Sequence, residues 1–314
     1  MKSVLFLTNY ENIIPQRITD KEGINVNEIR KELKEESIDS DVLSYEDLNK
    51  DPNLVEEFDF VFYASSQKPK YKEFILDHII NINYKGLKLI PEIEHFIAHD
   101  NKSFQSIFLS NAKFNYVNSR VISNYEEGIR YLNENKLPFV VKTSDGWGSN
   151  GVKLVDSRIK FKLFMLQNLK ERYHGTKRLG KIIVQEFLEN LEGDWKILIF
   201  GTKIAGLYRL NRKNDFRASG SGKFQFKEVP ESILNFAFEV KDELKIPWCS
   251  LDIFETKEGP VLGEFQTIHF GLTTALKCNF HYELKNSQYY KIEGPINIDK
   301  EIANEVIKIV KSDF

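Results

Sequence analysis

Residues Val140–Val155 read VVKTSDGWGSNGVKLV, and the fold turns on what surrounds the glycines in this stretch. Gly146, Gly148 and Gly151 spell G-x-G-x-x-G, a pattern shared by dinucleotide-binding folds and protein kinases; alone, such clusters mark only turns. A dinucleotide-binding fold needs the glycines to open a helix at once, with the pyrophosphate on its N-terminus. Here an alternating strand, Val152–Val155, follows instead. A protein kinase carries its phosphate-binding lysine on the strand after the loop, whereas Lys142 precedes it, at the end of the strand that enters. A second decoy, Gly222-Lys223 in ASGSGKF, lacks the first glycine and the Ser or Thr of a P-loop. What remains is strand, lysine, glycine-rich turn, strand. Glycines let backbone N–H groups approach an anion, and the lysine adds a point charge. The hairpin is thus either a lid over phosphates or a plain surface turn, and the loop alone leaves both open.

Downstream residues add two further clusters. Asp252 lies in CSLDIF and Glu264 in VLGEFQT. Lys257-Glu258-Gly259 between them reads as a three-residue hairpin turn with glycine at the position that wants positive φ. Pairing around that turn sets Asp252 opposite Glu264, with Gln266 on the same face. Two carboxylates and an amide form an oxygen site suited to Mg²⁺, which keeps waters and binds nucleotide phosphates. The other reading is an acidic pair facing solvent, although opposed carboxylates repel unless a cation lies between them. Arg209, Arg212 and Arg217 in YRLNRKNDFR offer paired donors for phosphoryl oxygens, or form a basic surface loop.

Each cluster is ambiguous, but their order is not. Lysine, glycine loop, acidic strand, arginine loop and paired carboxylates together resemble the ATP-grasp superfamily. The likeness is greatest to its carboxylate–amine ligases of the ribosomal-protein glutamate ligase and glutathione synthetase type. It covers roughly Asp100 to Gly271. The resemblance implies that Lys102 in HDNKSF and Lys142 hold ATP phosphates. The loop from Ser144 through Gly146, Gly148 and Ser149 to Gly151 would be the lid. In VQEFLENLEGD, Glu186, Phe187 and Leu188 would meet the adenine through backbone groups and Asp194 would lie near the ribose. Arg217 in DFRAS would reach the transferred phosphate, acting with Lys142 in catalysis. Asp252, Glu264 and Gln266 would hold Mg²⁺ or Mn²⁺. Two departures stand out: Gln266 replaces the usual asparagine, and TIHFGLTTA lacks the common N-x-x-P-G, so the acceptor is not transferable.

The implied function is an ADP-forming ligase that activates a carboxylate as an acyl phosphate and joins it to an amine. A kinase acting on a small-molecule or sugar acceptor, or a non-catalytic ATP-binding regulator, would use the same half-site. Candidate acceptors are small-molecule, peptide or polysaccharide-linked carboxylates. No residue declares itself a general base; His269 is either that base or a structural histidine. SSQKPKYKEF (Ser65–Phe74) either lines the acceptor side or starts a surface helix.

Bulk properties fit an enzyme of several parts. The chain has 314 residues, 41% of them apolar, including 24 phenylalanines, ample for a packed core. Its 44 basic and 46 acidic residues nearly cancel, which points away from nucleic acid and from membrane surfaces. Two cysteines, Cys249 and Cys278, lack zinc or C-x-x-C spacing and fit a reducing compartment. The opening MKSVLFLTNYEN reads as a first strand rather than a signal peptide, so a cytoplasmic protein is expected. The sequence leaves the oligomeric state open, although members of the family it resembles often form homodimers or tetramers.

The first hundred residues alternate strand and helix, with helices at Val26–Glu35 and Tyr71–Ile82, which implies a parallel sheet. A helix capped by Asp100 is expected to run to Leu109, and another from Ser157 to about Tyr173. From Ile182 the signals are antiparallel, with Trp248–Phe254 and Pro260–Phe265 as the last strands before a helix at Lys300–Val310. The expected architecture is α+β: an ATP-grasp fold, two α+β subdomains clasping ATP, preceded by an α/β domain. The expected division is 1–98, 99–183 with the lid, and 184–314 with the metal site.

Overall fold

In the computed structural model, which describes residues 2–15, 23–66, 68–144, 151–169 and 180–312, three sheets follow one another along the chain. The first arises from β1 (Ser3–Thr8), α1 (Val26–Glu35), β2 (Asp39–Ser44), α2 (Tyr45–Lys50), β3 (Phe60–Tyr63), α3 (Pro69–Tyr84) and β4 (Lys88–Ile90). Its strands run parallel in the order β2-β1-β3-β4. Both faces are covered, so consecutive residues Val4 to Leu7 are all buried and read as a continuous apolar run. The side chain of Asn25 caps α1, accepting from the Glu28 N–H, and Ile29 and Leu33 form its buried face.

Two short helices, α4 (Ile93–Ala98) and α5 (Lys102–Phe108), lead into the second sheet. Asn101, not Asp100, caps α5: its side chain accepts from the Phe104 N–H at 3.2 Å. Asp100 instead adopts a positive φ of 53°, a bend that a short polar side chain tolerates. The second sheet contains β5 (Ser119–Ile122), β6 (Phe139–Thr143), β7 (Lys153–Val155) and β8 (Ile182–Glu186), with α6 (Tyr125–Glu134) and α7 (Arg158–Asn168) between them. Its order is β5-β8-β6-β7, all antiparallel. Phe139, Val141, Ile182 and Val184 pack under α6 and α7, which leaves Val140, Lys142 and Gln185 on the opposite face by the two-residue strand period. Ser157 caps α7, which closes at Asn168; the expected extension to Tyr173 falls outside the described residues.

The third sheet is antiparallel. It is built from β9 (Gly193–Phe200), β10 (Lys203–Leu210), β11 (Phe224–Gln225), β12 (Trp248–Thr256), β13 (Gly259–Gln266), β14 (Phe280–Lys285) and β15 (Gln288–Glu293). Its path is β13-β12-β9-β10-β14-β15, with β11 beside β10. The strands do not end at Phe265 as expected, because a further hairpin, β14–β15, follows. Asn286 and Ser287, both at positive φ, make its two-residue turn, the backbone a tight hairpin favours. The remaining helices are α8 (Glu231–Glu243), α9 (Thr273–Lys277) and α10 (Ile298–Ser312).

Both faces of the third sheet are buried for different reasons. Trp195, Ile197, Ile199, Cys249, Leu251 and Ile253 pack with Ile233, Leu234 and Ala237 of α8. On the other face Leu198, Phe200 and Trp248 join the core of the first sheet, where Trp248 lies 5.4 Å from the Phe62 ring. Ile302, Val306 and Val310 of α10 join that same core. Along β9 and β12 this second face changes from apolar to charged at Lys196 and Asp252. Among the described residues no helix is long and apolar enough to cross a membrane.

Candidate active site

A cavity of about 380 Å³ opens between the free face of the second sheet and the charged end of the third. Val140, Lys142 and Gln185 form one wall; Lys196, Asp252 and Glu264 form part of the other. Strand register places the charged groups. Asp252 lies directly opposite Glu264 on β13 and opposite Lys196 on β9, while Arg209 on β10 lies opposite Asp194 on β9.

The opposition of Asp252 and Glu264 is as expected, but its cause differs. Thr256 pairs with Gly259, so the turn holds two residues, Lys257 and Glu258, not three. A tighter turn alone would slip Glu264 to the other face. A bulge at Gly263, between Asp252 and Ile253 in the register, restores the pairing. A Cβ at Gly263 would sit 2.6 Å from the Phe254 ring and 3.3 Å from the Asp252 carbonyl oxygen, so any larger residue would have to displace that ring.

Asp252 is held from two sides. Lys196 Nζ donates to Oδ1 at 2.8 Å, and an Arg209 terminal nitrogen lies 2.8 Å from Oδ2. Burial works against its charge, yet Arg209 and Lys196 together hold its carboxyl well below the usual carboxylate range. Arg209 also donates to both oxygens of Asp194, at 2.6 and 2.7 Å. Lys196 was not foreseen from the sequence; a lone lysine inside the apolar run WKILIF was its signal.

Glu264 faces Lys102, whose Nζ lies 3.5 Å away. Gln105 fixes this approach by donating to the Ala98 and Phe265 carbonyls, both at 2.9 Å, which pins α5 to β13. Gln266 turns its amide nitrogen to Glu264 at 3.0 Å, and its oxygen meets His99 Nδ1 at 2.7 Å and the Asp100 N–H at 3.4 Å. Its oxygen is therefore directed away from Glu264. Lys142 points into the cavity, where burial pulls its pKa down to about 8 against the pull of Glu264 and with Lys102 adding to the drop.

The three arginines separate. Arg209 is buried in the acid network, and Arg212 donates to the Ser219 carbonyl at 3.0 Å. Arg217 lines the cavity, clasps Asp215 and donates to the Val152 carbonyl at 3.2 Å, tying its loop to the strand that leaves the glycine turn. Glu186, Phe187, Leu188 and Asp194 all line the cavity, and Phe187 meets Phe216 edge-on at 5.7 Å. Ser144 is tied to Ser103 by a 3.1 Å hydroxyl contact, and Gly151 has a positive φ of 80°. Gly146, Gly148 and Ser149 lie outside the described residues. His269 lines the cavity with its ring 6.2 Å from that of His99. In the Ser65–Phe74 stretch Ser65 and Ser66 are buried and α3 begins at Pro69, while Lys72 donates to the His99 carbonyl.

Lysines from two elements, a hinge strand and opposed acids thus surround one cavity. A sequence profile of the RimK-like ATP-grasp domain matches residues 99–279. The chain belongs to that family. Solved structures agree on the ATP-grasp fold. An ATP-grasp RimK domain protein from Sphaerobacter thermophilus shares 12% identity at a TM-score of 0.56, covering 97% of this chain and 99% of that one. D-alanine–D-alanine ligase from Bacillus anthracis, complexed with ATP, shares 14% identity at a TM-score of 0.58 over the full length of both. N5-carboxyaminoimidazole ribonucleotide synthetase from Thermus thermophilus shares 13% identity at 0.52, covering 87% of this chain and 72% of that one. No curated protein sequence matches the chain.

A divalent metal fits this ATP-grasp site by its donor chemistry. Asp252 and Glu264 offer hard carboxylate oxygens from directly opposed positions, the donor type Mg²⁺ and Mn²⁺ prefer. Gln266, expected as a third ligand, places its amide oxygen 2.7 Å from His99 Nδ1 and its amide nitrogen 3.0 Å from Glu264.

Proposed function

We propose that the protein is an ADP-forming carboxylate–amine ligase using MgATP. The observation that carries the reading is the meeting of Lys102, Lys142 and Arg217 with opposed Asp252 and Glu264 around one cavity. These are the groups that phosphoryl transfer needs, because it depends on positioning and neutralisation of charge.

In this reading Glu186, Phe187 and Leu188 receive the adenine, and Lys102 and Lys142 hold the phosphates. Asp252 and Glu264 hold the metal, which when bound neutralises phosphoryl oxygens. A substrate carboxylate oxygen attacks the γ-phosphorus, the bond to the β–γ bridging oxygen breaks, and ADP leaves with that electron pair. Arg217 stabilises the equatorial oxygens during transfer. An amine nitrogen then attacks the acyl carbon of the acyl phosphate. Inorganic phosphate departs, and the nitrogen loses one proton as the amide forms.

The test is incubation with Mg-ATP, hydroxylamine and pooled carboxylates, with ADP release and hydroxamate measured together. Equal amounts of both are expected. ADP without hydroxamate from any carboxylate in the pool would overturn amide-forming activation and favour phosphorylation of a stable acceptor.

A further inference from the structure

We propose that Asp194 is a positioning residue for Asp252, acting through Arg209, and is not a ribose ligand; the inference rests on the nucleotide-site reading above. Likeness to other ATP-grasp ligases would give Asp194 the ribose. Its geometry points elsewhere. Both of its oxygens accept from one guanidinium, Oδ1 from Nε at 2.6 Å and Oδ2 from a terminal nitrogen at 2.7 Å. The residue lines the cavity yet is only 5% exposed, and that one guanidinium already engages both of its oxygens. The same Arg209 terminal nitrogen that serves Asp194 lies 2.8 Å from Asp252 Oδ2.

Four groups therefore form one chain, Asp194–Arg209–Asp252–Lys196, set by register across β10, β9 and β12. Asp194 and Lys196 stand two residues apart on β9 and so share a face. The paired fork geometry of Asp194 on Arg209 fixes the guanidinium plane, and that plane fixes the direction of Asp252 Oδ2. Asp194 has an electrostatic part as well. Asp252 faces two cations, which alone would leave it a poor ligand for a third. Asp194 neutralises Arg209, so these four groups together carry two negative and two positive charges and add no net charge beside the metal position.

This account and a ribose contact predict opposite signs for Asp194→Asn. The variant gains one net positive charge beside the metal position. We expect Mn²⁺ affinity in the ternary complex with AMP-PNP, read by electron paramagnetic resonance, to fall by at least about tenfold. AMP-PNP measured in EDTA should bind as tightly as to wild type or more tightly, because the free nucleotide is strongly anionic. A ribose ligand would instead weaken AMP-PNP in EDTA and leave the Mn²⁺ constant alone; that result, or no change in either constant, overturns the proposal. Should Asp194→Asn fail to fold, Arg209→Lys keeps the charge but lacks the planar fork that engages both oxygens of Asp194 while reaching Asp252. It should weaken Mn²⁺ with unchanged AMP-PNP affinity in EDTA, and an unchanged Mn²⁺ constant overturns the proposal. Wild-type protein that bound no AMP-PNP would defeat the nucleotide-site reading itself, a separate and recognisable outcome.

Discussion

Raising the pH should weaken nucleotide binding through Lys142 in a calculable way. Burial lowers its pKa to about 8, against an ordinary value of 10.5. A base lowered in the free protein is stabilised in its neutral form there, whereas bound phosphates favour the charged form. Binding above pH 8 must therefore take up a proton. At pH 7 roughly nine in ten Lys142 side chains are charged, and at pH 9 roughly one in ten. If phosphates return the pKa to about 10.5 or higher, Kd rises about tenfold between pH 7 and 9, or about 1.4 kcal/mol. Calorimetry of Mg-AMP-PNP in buffers of different ionisation heat reads both quantities, and uptake should grow from about 0.1 proton at pH 7 to about 0.9 at pH 9. Lys142→Arg stays charged throughout, so its Kd should be flat across the range. A flat wild-type curve, or an equal rise in Lys142→Arg, would refute the reasoning. The same shift has a sign for folding. Between pH 8 and 10.5 the unfolded chain binds the extra proton, so the unliganded protein should gain stability as pH rises through that window.

Two substitutions test how the fold sets the site. Gly263→Ala puts a Cβ 2.6 Å from the Phe254 ring, so it should cost about 1–3 kcal/mol in urea unfolding and weaken Mg²⁺-dependent AMP-PNP binding by moving Asp252 against Glu264. Full stability with intact binding would mean that the bulge does not set the pairing. Trp248→Ala removes a buried ring that packs on Phe62 in the core shared by the first and third sheets, and should cost about 3–5 kcal/mol. A loss below about 1 kcal/mol would show that this contact does not bind the sheets together.

The features legible in the sequence were those whose physics is local. Glycines followed by a strand rather than a helix excluded the dinucleotide fold, and the spacing of Ile29 and Leu33 on one face marked the helix at Val26–Glu35. The acid pair was also foreseen, yet by two errors that cancelled: the turn is one residue shorter than Lys257-Glu258-Gly259 suggests, and the bulge at Gly263 returns the residue that the turn removes. No local signal distinguishes those routes, because each sets Asp252 against Glu264. The network around Asp252 was illegible for a different reason. Trp195, Lys196 and Ile197 all lie in a strand covered on both faces, so alternation, the usual pointer to which side meets solvent, disappears. The meaning of Lys196 depends on which residues register across β9, β10 and β12 bring to the same depth, and that is not a property of any one segment. Asp194 shows the consequence most sharply. Its position after the hinge suggests a ribose contact, but the strand opposite supplies Arg209, and both carboxylate oxygens accept from that one guanidinium. Motif order can therefore name the groups that gather at such a cavity, while the division of labour among them follows from cross-strand pairing.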